Sequence, residues 1–110
     1  MLKTATKEKP VVTLKGKSGK SYQFTVYDWG TSFKPVGAVY SVLKVTDGQY
    51  SLIYVGQTSD LSERFDSHHK QSCFDRNRKT HIGILVESSE SMRFKIETDL
   101  INNYSTPCNG

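Results

Sequence analysis

Tyr54, Arg64 and His68 are the residues whose types and spacing first invite a chemical reading. Tyr54 stands near the end of a short apolar run, Leu52 to Val55, and Gly56 then removes the side chain. Thr58, Ser59 and Asp60 offer oxygens suited to a helix N-cap, with Glu63 three residues past Asp60 as in a capping box. Leu61, Arg64, Phe65 and His68 follow at i, i+3, i+4 and i+7, one face of a helix. Leu61 and Phe65 pack easily, which places Arg64 and His68 at the rim of a core. A guanidinium and a titratable ring beside a strand-end tyrosine can handle a phosphate.

A carboxylate adds to this set. Met92, Ile96, Leu100, Ile101 and Tyr104 define the apolar arc of a second helix, and Glu97 falls inside it. A buried carboxylate is costly unless it is paired or bound to a metal. Its alternatives are an ion pair with Arg93 or Arg64, or a divalent cation.

The elements that must position these groups follow from alternation and turn residues. Residues 1 to 10 form a polar, lysine-rich arm. Val12 and Leu14, then Tyr22, Phe24 and Val26, alternate with polar neighbours around a Gly16–Lys20 turn, a β-hairpin pattern. Gly19-Lys20-Ser21 is not a P-loop, because Leu14 stands where the earlier glycine belongs and a strand pattern follows. Asp28 to Gly37 is a connecting loop. Ala38–Val45 and Ser51–Gln57 form a second hairpin about Thr46-Asp47-Gly48. A two-residue loop would put Tyr40 and Tyr54 on opposite faces, whereas an odd loop, preferably three residues, puts them on one. A first helix is expected from Ser59 to about Gln71. A basic loop from Ser72 to Thr80 then carries Arg76, Arg78 and Lys79. A strand is expected over His81–Glu87, and a helix capped by Ser88 or Ser89 to about Tyr104. The class is α+β: a small central antiparallel sheet, three core strands plus the N-terminal hairpin, flanked by helices.

The 110 residues suit one domain, and 35% hydrophobic residues allow one modest core. Residues 1–36 would pack as arm, hairpin and loop on a domain spanning 37–110. A net charge of +4 and a pI of about 9.1 favour a polyanionic partner. No apolar run has the length of a membrane span, and the first ten residues lack a signal-peptide core. Cys73 and Cys108 read as reduced thiols of a cytoplasmic protein.

Taken together, Ala38-Val39-Tyr40, Tyr54-Val55-Gly56, Arg64, His68, Glu97 and Asn109 resemble the GIY-YIG nuclease family. The resemblance covers residues 37 to 110, in order and at compatible spacing. It implies two tripeptides on adjacent strands, an arginine and a histidine one turn apart on the first helix, a metal-binding glutamate on a later helix, and an asparagine closing the site. Two departures stand out. Ala38 replaces the usual first glycine, and the gap between the tyrosines is slightly long.

The implied activity is hydrolysis of DNA phosphodiester bonds with one Mg²⁺ or Mn²⁺ held by Glu97. Tyr40, Tyr54, Arg64, His68 and Glu97 are the expected catalytic set, and Gly56, Arg76, Arg78, Lys79 and Asn109 the expected substrate contacts. A phenol with a pKa near 10 needs nearby cations to act as a base, and His68 is the rival for that role. Family members gain specificity from attached domains, so target choice here would rest on the basic loop, the first hairpin, oligomerisation or a targeting partner protein. The alternatives are a non-catalytic nucleic-acid binder and a protein-interaction module working through the hairpin edge.

Overall fold

The computed structural model describes residues 9–63 and 69–109. Five strands, β1 Val11–Lys15, β2 Ser21–Asp28, β3 Ala38–Thr46, β4 Gln49–Thr58 and β5 His81–Val86, form one antiparallel sheet of order β1-β2-β5-β3-β4. Two helices accompany it, α1 Gln71–Arg76 and α2 Glu90–Asn103. The α+β class stands. The N-terminal hairpin joins the core strands through β2, whose Thr25–Asp28 pair with Ile84–His81. The sheet curls enough for Leu14 of β1 and Val55 of β4, on its two outer strands, to meet Ile96 and Leu100 of α2 in one cluster.

The β3–β4 turn differs from the expected loop. Asp47 (φ 52°) and Gly48 (φ 77°) are its two residues, and both have the positive φ of a type I′ turn. That turn alone would split Tyr40 and Tyr54 between faces. A bulge restores them: Val42 pairs with Tyr54 but Leu43 pairs with Leu52, so Ile53 is the extra residue. Tyr40 then lies opposite Gly56, on the same face as Tyr54.

The first helix also differs. Leu61–Glu63 is a 3₁₀ turn, and α1, which starts at Gln71 where the expected helix ends, runs into the stretch expected to be a basic loop. The Asp60 carboxylate accepts from the Ser62 amide (2.9 Å), and the Thr58 hydroxyl accepts from the Asp60 amide (3.1 Å). The first of these is the N-cap contact expected of Asp60, here at the head of a 3₁₀ turn. Arg64, Phe65 and His68 lie outside the described residues.

The start of α2 is as expected. Ser89 caps it, accepting from the Met92 amide at 3.3 Å. Its buried arc is different, being Arg93, Ile96 and Leu100, while Met92 is 40% exposed.

Two cores result, one on each face of the sheet. Tyr40, Tyr54, Ile82, Ile84 and Leu61 pack with Phe74 of α1 on one. Val39, Val55, Phe24 and Leu14 pack with α2 on the other.

Candidate active site

Around the end of β4 lie Tyr40, Asn109 and Phe74 on one face and the outer edge, and α2 on the other face. Tyr54 stacks in a tilted arrangement with Tyr40, ring centroids 6.0 Å apart, and with Phe74 of α1 at 5.3 Å. Gly56 makes room for both tyrosines. A Cβ there would sit 2.5 Å from Tyr40 Oη and 2.8 Å from Tyr54 Cε2. The missing side chain therefore serves the ring pair. Tyr40 is fully buried and Tyr54 is 8% exposed, so Tyr54 is the phenol nearer to solvent.

Asn109 closes the outer edge of β4. Its side-chain Oδ1 accepts from the Val55 amide (2.8 Å), and its Nδ2 donates to the Val55 carbonyl (2.9 Å). The carboxamide thus takes the place of a neighbouring strand, and the Cys108 amide extends the pairing to the Ile53 carbonyl (3.1 Å). With both ends of its amide bonded to Val55, Asn109 positions the outer edge of β4.

Cys73 and Cys108 form a disulfide, which corrects the expectation of reduced thiols. α1 and the C-terminal turn are both packed at this edge, which brings the two Cα atoms to 5.9 Å. Asn77, the C-cap of α1, adds a second tie, its Nδ2 donating to Cys108 Sγ at 3.6 Å.

Arg93 is the residue whose role the sequence concealed. It is only 4% exposed. Its Nε donates to Gln57 Oε1 (3.0 Å), and Nη1 donates to the carbonyls of Glu87 (3.1 Å) and Ser88 (3.0 Å). Gly37 gives it space, since a Cβ there would lie 2.4 Å from Nη1. The signal was present, because Arg93 falls three residues before Ile96 and seven before Leu100, on the apolar stripe. Glu97 is one turn further along α2 and is partly buried. Gln57 and Arg93 tie that helix to β4, on the face opposite the tyrosine pair.

The basic residues divide. Arg76 ends α1 and Arg78 has a φ of 60°; both are exposed. Lys79 is paired with Asp75, and its ammonium lies 4.8 Å from the centre of the Trp29 ring. Its charge fastens α1 to the Trp29 loop, so only Arg76 and Arg78 remain as outward cations of the expected trio.

The donor chemistry fits a hard cation. Among the described residues no group of three or more His, Cys, Asp or Glu side chains could form a closed metal cage. The partly buried Glu97 carboxylate supplies hard oxygen, the donor type taken by an ion such as Mg²⁺, which keeps several waters and shares substrate phosphate oxygens. Searches against family models, curated proteins and solved structures found no match to this chain.

Proposed function

We propose that this chain is a small endonuclease that hydrolyses DNA phosphodiester bonds with one divalent cation, Mg²⁺ or Mn²⁺. The supporting observation is the gathering around residues 54–57 of β4. Tyr40 from β3 packs on Gly56, Asn109 clamps Val55, Phe74 of α1 meets Tyr54, and Arg93 links Gln57 to the helix that carries Glu97. Tyr40, Phe74 and Asn109 meet this strand end on its tyrosine face and outer edge, and the Arg93 link brings the helix of Glu97 to it from the opposite face.

In this reading Tyr54 orients the attacking water, and Tyr40 holds the Tyr54 ring from within the core. Glu97 holds the cation, which when bound neutralises charge developing on the phosphate. Arg64 forks onto phosphate oxygens, and His68 accepts or relays a proton. Arg76 and Arg78 contact the flanking backbone. A binder without catalysis is the second reading, favoured by the complete burial of Tyr40. The disulfide removes the ground, reduced thiols, on which a cytoplasmic location was expected.

The test is a panel of single-stranded, duplex, flapped and branched DNA, with Mg²⁺ or Mn²⁺ and with a chelator. The parent should cut at least one substrate only with the metal. Glu97→Gln should cut about 100- to 1,000-fold more slowly. Metal at about 100 times its dissociation constant should stabilise the parent by roughly 2.7 kcal/mol and the variant hardly at all. Cleavage indifferent to both chelator and Glu97→Gln would refute the proposal.

A further inference from the structure

The N-terminal hairpin builds a second feature with α2, away from the tyrosine pair. Its turn is fastened to one carboxylate. The Ser18 amide (2.8 Å), the Ser18 hydroxyl (2.6 Å) and the Tyr22 hydroxyl (2.7 Å) all donate to Asp99 side-chain oxygens. The Lys17 amide donates to the Asp99 carbonyl at 3.0 Å. Gly16 is needed here, because a Cβ would fall 2.0 Å from Asp99 Oδ2. Further along, Asn103 Nδ2 donates to the Lys15 carbonyl (2.7 Å), and the Lys15 amide donates to the Tyr104 hydroxyl (3.1 Å).

Electrostatics agree with this clamp. The Ser18 hydroxyl, and after it the Tyr22 hydroxyl, hold the Asp99 carboxyl below its ordinary pKa. Burial, followed by the hydrogen bond to Asp99, pushes the Tyr22 phenol up. Asp99 is therefore a fixed anion whose oxygens are engaged by the turn.

Between turn and helix lies an open groove of about 450 Å³, walled by Lys20 and Tyr22 on one side and Phe94, Lys95, Thr98 and Asn102 on the other. That volume is in the range of small-ligand clefts. Phe94 is 47% exposed, a large aromatic ring uncovered on a helix. Lys15, Lys17, Lys20 and Lys95 are all exposed. Among the described residues Asp99 is the one acid lining the groove.

We propose that this groove binds a single strand of nucleic acid, with an unpaired base on the Phe94 ring and backbone phosphates against Lys20 and Lys95. Ring and charge together select this occupant. Every unpaired base has a flat face that stacks on an aromatic side chain, and lysines follow the phosphates. A duplex keeps its bases stacked inside, away from Phe94. An acidic peptide satisfies the lysines but leaves the ring without a flat partner. The groove accounts for the hairpin, which lies outside the family resemblance. It also stands apart from cleavage, because binding alone reads it.

The test is fluorescence anisotropy of a labelled oligothymidylate of about 12 nucleotides, with chelator present so that nothing is cut. The full chain should bind it more tightly than a duplex of equal length. Phe94→Ala should weaken binding about 5- to 150-fold, and Phe94→Trp should retain it. Lys20→Ala with Lys95→Ala should reduce the slope of log affinity against log salt by about 1.4. All three side chains are exposed, so thermal melts should match the parent and separate lost binding from lost folding. Parent-like binding by Phe94→Ala overturns the proposal, as does equal competition by polyglutamate. No binding by the parent overturns it too, whatever the cleavage panel shows. Cleavage that survives Phe94→Ala alongside lost oligonucleotide binding supports it and leaves the active-site reading intact.

Discussion

The two faces of the β3–β4 hairpin are built on different terms. One carries Val39 and Val55, covered by the 14-residue α2 through Ile96 and Leu100. Aliphatic burial and a capped helix explain most of it, the exceptions being the buried Arg93 and the partly buried Glu97 on α2. The other carries Tyr40 and Tyr54, covered in part by the six-residue α1 through Phe74. A six-residue helix cannot hold itself. It is held by the Cys73–Cys108 bond, the Lys79–Asp75 pair and the contact of Lys79 with Trp29. Two large phenols fill this side where aliphatic residues would pack more cheaply, and a glycine is reserved to accommodate them. That departure from the simplest packing solution is why the proposed chemistry is assigned to this face. The same contrast holds at single-residue scale, since Tyr54 and Val55 are neighbours pointing into different cores.

That neighbouring pair gives the largest expected effect. Tyr54→Phe should keep the fold and slow cleavage about 100- to 1,000-fold, the loss typical of one transition-state contact. Val55→Ala should do the reverse, costing about 1.5–3 kcal/mol of stability while each folded molecule cuts at the parent rate. Rates normalised to the folded fraction separate the two, and equal kinetic effects would erase the distinction between the faces.

Next in size is the disulfide, which belongs to the tyrosine side alone. Cys73→Ala with Cys108→Ala opens a link across a sequence separation of 35 and should cost about 2–4 kcal/mol. Denaturant melts with and without dithiothreitol measure it. A parent indifferent to the reductant would show that α1 is held by packing after all.

The smallest effects come from a matched pair of glycines. A Cβ at Gly56 would press on Tyr40 and Tyr54, and one at Gly83 would lie 2.5 Å from Ser41 Oγ and 3.0 Å from Phe24 Cβ on the α2 side. Each Gly→Ala change should cost about 1–3 kcal/mol by overpacking. Only Gly56→Ala should also lower the cleavage rate of the folded protein. If Gly83→Ala lowers it equally, the sheet transmits strain between its faces and the comparison fails.

Much of this arrangement was legible in the sequence, and the remainder was hidden for identifiable reasons. The strands were readable from alternation and α2 from its serine cap, because those signals are local. The shared face of Tyr40 and Tyr54 was foreseen, but by another device. A bulge and an odd loop shift strand parity equally, and nothing in Ile53 distinguishes them. The Asp60 cap was readable, but α1 in the stretch expected to be a basic loop was not, because Gln71–Arg76 is short and held by the disulfide and the Lys79 contacts, not by a helical apolar stripe. Cys73 and Cys108 carry no local signature, since only the meeting of α1 with the C-terminal turn brings them together. Arg93 was passed over because a charge on an apolar stripe reads as a partner for Glu97, while its real acceptors, two carbonyls and Gln57, are defined by tertiary structure.

The segment from Asn103 to Asn109 bonds the outer strand at either end of the sheet, Lys15 of β1 through Asn103 and Tyr104 and Val55 of β4 through Asn109. During synthesis these partners arrive late. Val55 leaves the ribosome 54 residues before Asn109, and Lys15 leaves 88 residues before Asn103. At about 5–20 residues per second the β4 edge waits roughly 3–11 s for its cover, and the β1 edge longer. Throughout that interval the nascent sheet presents unpaired backbone to any neighbouring strand, including those of sister chains on the same message. The lysines at positions 15, 17 and 20, beside the edge that waits longest, repel such sister chains until the closing segment emerges.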